Sequence, residues 1–228
     1  MIKAILMDFN GVIIDDEPVQ MKAYQKVLAA QDITLTEEQY YSCLGMDDRT
    51  FVRAAFERSG MPLGEEKLAQ LVEGKSLVWR ELISGGVPLF PDAVSFIGKM
   101  SRRFKMGIVS MARGENIDYA LTRSGLRSSF SFIVSAEMVT RHKPDPECFL
   151  LGLSEMRKLM PGDLLEPGEC LVVEDAPPGV VAGNTAGMKT LAVLNTVGER
   201  AMREARASAV ARSLADWSPE SLELVFNH

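Results

Sequence analysis

Ile2-Lys3-Ala4-Ile5-Leu6-Met7-Asp8-Phe9-Asn10-Gly11-Val12 is the stretch whose reading decides the fold. Ile2 to Met7 is apolar except for Lys3, the run ends in a carboxylate, and a glycine follows. A short apolar run closed by a turn signal reads as a buried strand, here Ala4–Met7, which delivers Asp8 to the edge of a sheet. That setting suits an aspartate acting as a nucleophile through a covalent intermediate.

Working outward, the same signal recurs. Met106–Val109, Phe132–Ser135, Cys170–Val173 and Thr190–Val193 read as further buried parallel strands, and Ala209–Ala211 as a last short one before Pro219 and a terminal helix. Helical patterns over Ala93–Arg103, Glu115–Ser124, Glu147–Met160 and Gly179–Ala186 lie between them. Strand–helix alternation predicts an α/β fold with a Rossmann-like parallel sheet. One interval breaks it. Between Glu17 and Gly86 the pattern is helical throughout, over Val19–Ala30, Glu37–Leu44, Arg49–Ser59 and Glu65–Ser84. The expectation is a core of residues 1–16 and 87–228 with an all-helical domain, 17–86, inserted between hinges near Asp15–Pro18 and Gly85–Pro88.

Composition narrows the function classes. The chain has 228 residues and a net charge of −6, which predicts neither a nucleic-acid nor an anionic-membrane partner. Cys43, Cys148 and Cys170 are widely spaced, which fits reduced thiols and a cytoplasmic location. The amino terminus reads as a strand rather than a signal peptide, and no apolar run approaches the length of a membrane span. Oligomeric state is not legible, and a monomer satisfies everything seen.

Four chemical groups fall at or just beyond the carboxyl ends of predicted segments, where open α/β sheets bind ligands. They are Asp8, Ser110, Lys143 in Arg141-His142-Lys143-Pro144-Asp145, and Glu174-Asp175. Singly, each is an ordinary turn, cap or solvated residue. Together, in this order, they mark a candidate ligand site. The set resembles the haloacid dehalogenase superfamily, in the helical-cap branch of β-phosphoglucomutase-like and phosphoglycolate phosphatase-like proteins. Lys143-Pro144, and Glu174-Asp175-Ala176-Pro177-Pro178-Gly179 followed by Ala186-Gly187-Met188, carry the resemblance best.

The resemblance implies a role for each residue. Asp8 attacks phosphorus and becomes an aspartyl-phosphate. Asp8, Asp175 and the Asn10 carbonyl hold Mg²⁺, with Glu174 acting directly or through water. Ser110 donates a hydrogen bond to a phosphoryl oxygen, and Lys143 screens Asp8 and grips the phosphate. Met111 and Ala112 offer backbone N–H groups near a helix start, and Arg113 faces either the phosphate or solvent. In the inserted domain, Leu44-Gly45-Met46-Asp47-Asp48-Arg49 resembles the loop with which family caps inspect substrate. Gly45 permits close approach and Arg49 pairs with a second anion; the competing reading makes Asp47 a helix cap and Arg49 an exposed first-turn residue.

Two departures stand out. Where helical-cap members carry His after Glu-Pro, this chain reads Glu17-Pro18-Val19-Gln20. More important, the family's second aspartate, the acid/base, is Asn10 here. An amide cannot shuttle a proton, and general acid/base catalysis is worth about 10²- to 10⁴-fold. Three accounts stay open: another group, such as Asp15, Asp16 or Glu17, takes the role; activity is weak or replaced by binding; or the asparagine is a substitution that traps a complex. Asn10-Gly11 is also a deamidation-prone pair, so ageing is expected to place an aspartate at position 10. The resemblance implies a Mg²⁺-dependent phosphatase of a small phosphorylated metabolite. A phosphosugar mutase and a catalytically weak phosphometabolite-binding protein are the alternatives.

Overall fold

A computed structural model describes residues 1–43, 46–162 and 164–226. The chain divides into two compact units, Met1–Asp15 with Leu89–His228, and Asp16–Pro88.

The first unit is built on six strands: β1 (Ala4–Met7), β2 (Lys105–Val109), β3 (Ile133–Val134), β4 (Cys170–Glu174), β5 (Lys189–Val193) and β6 (Ala209–Ala211). They form one parallel sheet in the order β3-β2-β1-β4-β5-β6. All residues of β1 and β4 are buried, as expected of strands covered on both faces, which is why their sequences read as unbroken apolar runs. The helices are α5 (Pro91–Met100), α6 (Gly114–Arg123), α7 (Glu147–Leu159), α8 (Pro177–Thr185), α9 (Glu199–Glu204) and α10 (Pro219–Phe226), numbered after four helices of the other unit. Cys148, Phe149, Leu153 and Met156 of α7 join Ala182 and Ala186 over Leu6, Val109 and Val172, forming one side of the core. At about 25 cal/mol per Å² of apolar surface buried, such clusters supply the main drive for folding.

Most element ends shift by one to three residues from the sequence expectation, α5 among them, which runs from Pro91 to Met100 rather than Ala93 to Arg103; three differences have a physical reason. β3 is only Ile133–Val134, in register with Ile108 and Val109 of β2; as an edge strand it has a single neighbour to define its length. α8 begins at Pro177, two residues earlier than expected; proline suits a first helical turn, where its missing N–H has no partner to lose. α9 escaped notice because six residues with a single buried side chain, Met202, carry no readable period.

The second unit holds α1 (Glu17–Ala29), α2 (Glu37–Tyr41), α3 (Asp48–Arg58) and α4 (Glu65–Leu82). Their apolar faces meet through Tyr24, Leu28, Phe51, Phe56, Leu68 and Leu71. Thr36 and Gln39 form a reciprocal capping box on α2, and Asp47 caps α3 by accepting from the Arg49 and Thr50 N–H groups. Polar groups are also buried here. Asp16, fully buried, accepts from Trp79 Nε1 at 2.7 Å and Gln20 Nε2 at 2.7 Å, tying the start of α1 to α4. Lys75, also buried, pairs with Asp48 at 2.8 Å. None of the described helices is long and apolar enough to cross a membrane.

A buried carboxylate deprived of a donor keeps its desolvation cost and loses the compensation. Trp79→Phe therefore destabilises the protein by about 1–3 kcal/mol, read as a lower urea midpoint by circular dichroism. Asp16→Asn, which leaves no stranded charge, softens the effect of Trp79→Phe in the double variant.

Candidate active site

Sheet register sets the geometry. Met7 lies opposite Ile108 of β2 and Val173 of β4, and the next residue, Asp8, donates its N–H to the Val173 carbonyl at 2.9 Å. Asp8, Ser110 and Glu174-Asp175 thus leave three adjacent strands at one carboxyl edge. The sheet order 3-2-1-4-5-6 puts the topological switch point beside β1, where such sheets bind ligands.

Lys143 arrives from the loop before α7. That loop folds back on the helix: Glu147, at the first position of α7, accepts from the Thr140 and Arg141 N–H groups at 2.8 and 3.0 Å and from the Thr140 hydroxyl. These bonds, the Thr140 N–H first, hold the Glu147 carboxyl down at about 2. The fold-back sends the Lys143 side chain inward. Its Nζ donates to Asp8 Oδ1 at 2.8 Å, Glu174 Oε1 at 2.6 Å and the Val109 carbonyl at 3.0 Å.

Asp8, Glu174 and Asp175 are all buried, and one carboxylate oxygen from each lies within 4.8 Å of the others. Three buried carboxylates face one ammonium. Burial works against the Lys143 charge, but Asp8 and Glu174 overcome it and hold the ammonium above its ordinary range. Burial pushes Glu174 up to about 7, with the Asp8 charge adding to it and Lys143 opposing. Burial and the charges of Glu174 and Asp8 drive Asp175 well above the carboxylate range. The cluster is short of positive charge and rich in hard oxygen donors, the donor set that suits Mg²⁺.

Two glycines allow this density. Gly11 has φ +71°, and a Cβ there would stand 1.8 Å from Asp175 Oδ2. A Cβ on Gly179 would stand 1.8 Å from Glu174 Oε1. Between them, Glu174 Oε2 accepts from the Asp175 and Ala176 N–H groups at 3.1 and 3.3 Å, so both oxygens of Glu174 are engaged. Asn10 is half-buried in the turn after β1, where Ile13 and Ile14 donate to the Phe9 carbonyl and Gly11 donates to Ile14. Deamidation requires the Gly11 nitrogen to attack the Asn10 side chain; its bond to the Ile14 carbonyl, 2.9 Å, opposes that attack.

The remaining candidates are placed as follows. Ser110 is buried and its Oγ accepts from the Ala112 N–H at 3.3 Å, which leaves the hydroxyl hydrogen to donate elsewhere. Met111, Ala112 and Arg113 are half-buried on the link to α6. Arg113 pairs with Glu137 at 3.6 Å, and the same carboxylate accepts from the Gly114 N–H. Arg49 belongs to the other unit, in the first turn of α3, and pairs with Glu65 at 2.5 Å. Gly45 lies outside the described residues. Glu137, Glu147, Asn195 and Thr196 went unnoticed in the sequence. Of these only Glu147 left a signal, an acidic residue in the first turn of a helix. Asn195 Nδ2 donates to the Gly11 carbonyl at 2.8 Å, and the Thr196 hydroxyl donates to Asp175 Oδ2.

A carboxyl whose pKa is higher folded than unfolded favours folding below its unfolded value and loses that contribution as pH rises through the folded one. For Glu174 the window runs from the ordinary 4.5 to about 7. The metal-free protein should therefore lose melting temperature steadily between these two pH values in calorimetry. Glu174→Gln should flatten the slope.

The comparisons with known proteins agree with this geometry. Residues 5–193 match the haloacid dehalogenase-like hydrolase family. A phosphorylated carbohydrates phosphatase of Thermotoga maritima is 27% identical over 92% of this chain and 94% of its own length. The fructose-1-phosphate phosphatase YqaB of Escherichia coli is 27% identical over 83% of this chain and 95% of its own. Among solved structures, β-phosphoglucomutase of Clostridium difficile superposes with a TM-score of 0.84 at 24% identity, covering 100% of this chain and 98% of its own. CbbY of Rhodobacter sphaeroides, in complex with phosphate, gives 0.83 at 20% identity, covering 100% of both chains. These two likenesses establish the fold. The family match spans most of the chain, from β1 to the end of β5: this protein is a member of the haloacid dehalogenase-like hydrolase family.

Proposed function

We propose that this protein is a Mg²⁺-dependent phosphatase of a small phosphorylated metabolite, working through an aspartyl-phosphate on Asp8. The observation that carries the reading is the buried cluster of Asp8, Glu174 and Asp175, with the Lys143 ammonium paired to Asp8 and Glu174. The relatives named as phosphatases of phosphorylated carbohydrates and of fructose 1-phosphate support the substrate class.

In this reading the phosphate ester lies at the carboxyl edge of β1. Asp8 attacks phosphorus, the P–O bond to the leaving group breaks, and the phosphoryl group passes to the carboxylate. Lys143 and the Ser110 hydroxyl take up negative charge on the phosphoryl oxygens, and N–H groups of Met111 and Ala112 add to them. Mg²⁺, held by Asp8, Asp175 and the Asn10 carbonyl, would supply charge neutralisation between two anions that otherwise repel. Glu174, with both oxygens engaged, anchors Lys143. Residues 17–86 are the counterpart of the family's helical cap, and Arg49 and Gly45 are its candidate substrate-binding residues.

Asn10 removes the usual proton donor and acceptor. Of the three carboxylates weighed as replacements, Asp16 is buried against Trp79 and Gln20, and Glu17 accepts from the Tyr40 hydroxyl. Asp15 alone is exposed. The same asparagine favours a second reading, a phosphometabolite-binding protein with weak turnover.

Single-turnover assays on acyl, aryl and sugar phosphates, with and without Mg²⁺, decide between them. The phosphatase reading expects Mg²⁺-dependent turnover, fastest on good leaving groups. It also expects a gain of about 10²- to 10⁴-fold on sugar phosphates in Asn10→Asp. Asp8→Ala should be inert in either background. Inertness of Asn10→Asp toward the whole panel would sink the enzyme reading, and equal rates for both forms would remove position 10 from proton transfer.

A further inference from the structure

Three segments distant in sequence meet at one point: the turn at Gly11, Asp175, and the loop that follows β5. A Cβ on Gly11 would touch Asp175 Oδ2 at 1.8 Å and Thr196 Oγ1 at 2.9 Å. The Thr196 hydroxyl donates to Asp175 Oδ2, and Asn195 Nδ2 donates to the Gly11 carbonyl at 2.8 Å. Both residues are exposed, so neither fills the core. Ordinary exposed polar side chains point outward; these two reach inward, Thr196 to a carboxylate of the acidic cluster and Asn195 to the turn beside it. Sheet register brings them there, because β5 pairs with β4 up to Ala192 opposite Glu174 and the chain leaves both strands at the same edge.

We infer that Asn195 and Thr196 are positioning residues for a divalent cation at the acidic cluster. The inference rests on reading that cluster as a cation site. A carboxylate turns about its Cβ–Cγ bond, and a ligand that must first be oriented binds its cation less tightly. The Thr196 hydroxyl occupies one Asp175 oxygen and fixes the plane of the group, leaving the other oxygen for the cation. Asn195 holds the Gly11 peptide, and with it the turn that carries the Asn10 carbonyl. Neither side chain touches substrate in this arrangement; both act through Asp175 and the turn.

The test is Mn²⁺ binding to the full chain, followed by electron paramagnetic resonance, with Mg²⁺ in competition. Thr196→Val keeps the β-branched shape and removes the donor; it should weaken Mn²⁺ about tenfold, in the range found when outer hydrogen bonds to metal ligands are removed. Asn195→Ala should weaken Mn²⁺ too, and Thr196→Ser, which keeps the hydroxyl, should bind like the parent. Melting temperatures of all three metal-free variants should match the parent, separating positioning from general stability. Parent-like Mn²⁺ affinity in Thr196→Val would overturn the inference. So would a loss that Thr196→Ser shares and that follows a fall in metal-free melting temperature. Asp175→Asn distinguishes the two levels of failure. If the parent itself binds no Mn²⁺, the cation reading fails and the positioning role with it. If the parent binds and Asp175→Asn does not, the cation reading stands and Thr196→Val alone decides.

Discussion

The Lys143 ammonium between Asp8 and Glu174 is the contact on which the rest of the site depends. It joins a loop to the ends of β1 and β4 and, through the Val109 carbonyl, to β2. Buried ion pairs are poor stabilisers, because desolvation of each partner offsets their attraction, yet removing one partner leaves an uncompensated charge. Here the imbalance is built in, with three carboxylates against one ammonium. The protein tolerates a raised Glu174 and Asp175, which is what a site awaiting a further positive charge would show. The arrangement costs stability, and the apolar clusters around α7 and α8 offset it.

Holding those charges takes help from outside the cluster. Glu147 folds the Lys143 loop onto α7, Gly11 and Gly179 let backbone come within contact of carboxylates, and the loop after β5 supplies two hydrogen bonds from the far side. The pattern is that of a rigid scaffold presenting groups at a strand edge, with the flanking loops fixed in place by hydrogen bonds to it. The helical unit uses polar burial differently. Asp16 with Trp79 and Gln20, and Asp48 with Lys75 and Tyr24, are paired within the unit itself. Those bonds bring α1 together with α3 and α4 in a unit whose core is small.

Much of this was legible beforehand. β1 and β6 stand where their apolar runs placed them, and β2, β4 and β5 each extend by one residue. Asp8, Ser110, Lys143, Glu174 and Asp175 were visible because each follows an apolar run or sits beside a proline turn. What was not legible shares a physical cause. β3 shrank because an edge strand's length depends on its single neighbour, and α9 was too short to show a period. Arg49 illustrates the same limit: the sequence offered both a substrate contact and an exposed first-turn residue, and its pairing with Glu65 on α4 needed the packing of α3 on α4.

By itself, then, the sequence determined the alternation of strands and helices, the helical interval, and the identity of the charged groups at the strand ends. These follow from periodicity and turn chemistry, which act over a few residues. Only the tertiary structure decided that three carboxylates and one ammonium share a buried space, that Glu174 spends both oxygens on Lys143 and the backbone, and that Asn195 and Thr196 reach Gly11 and Asp175. Those contacts join positions far apart in the chain. They exist because a parallel sheet brings the ends of β1, β4 and β5 to one edge, where local sequence carries no record of its neighbours.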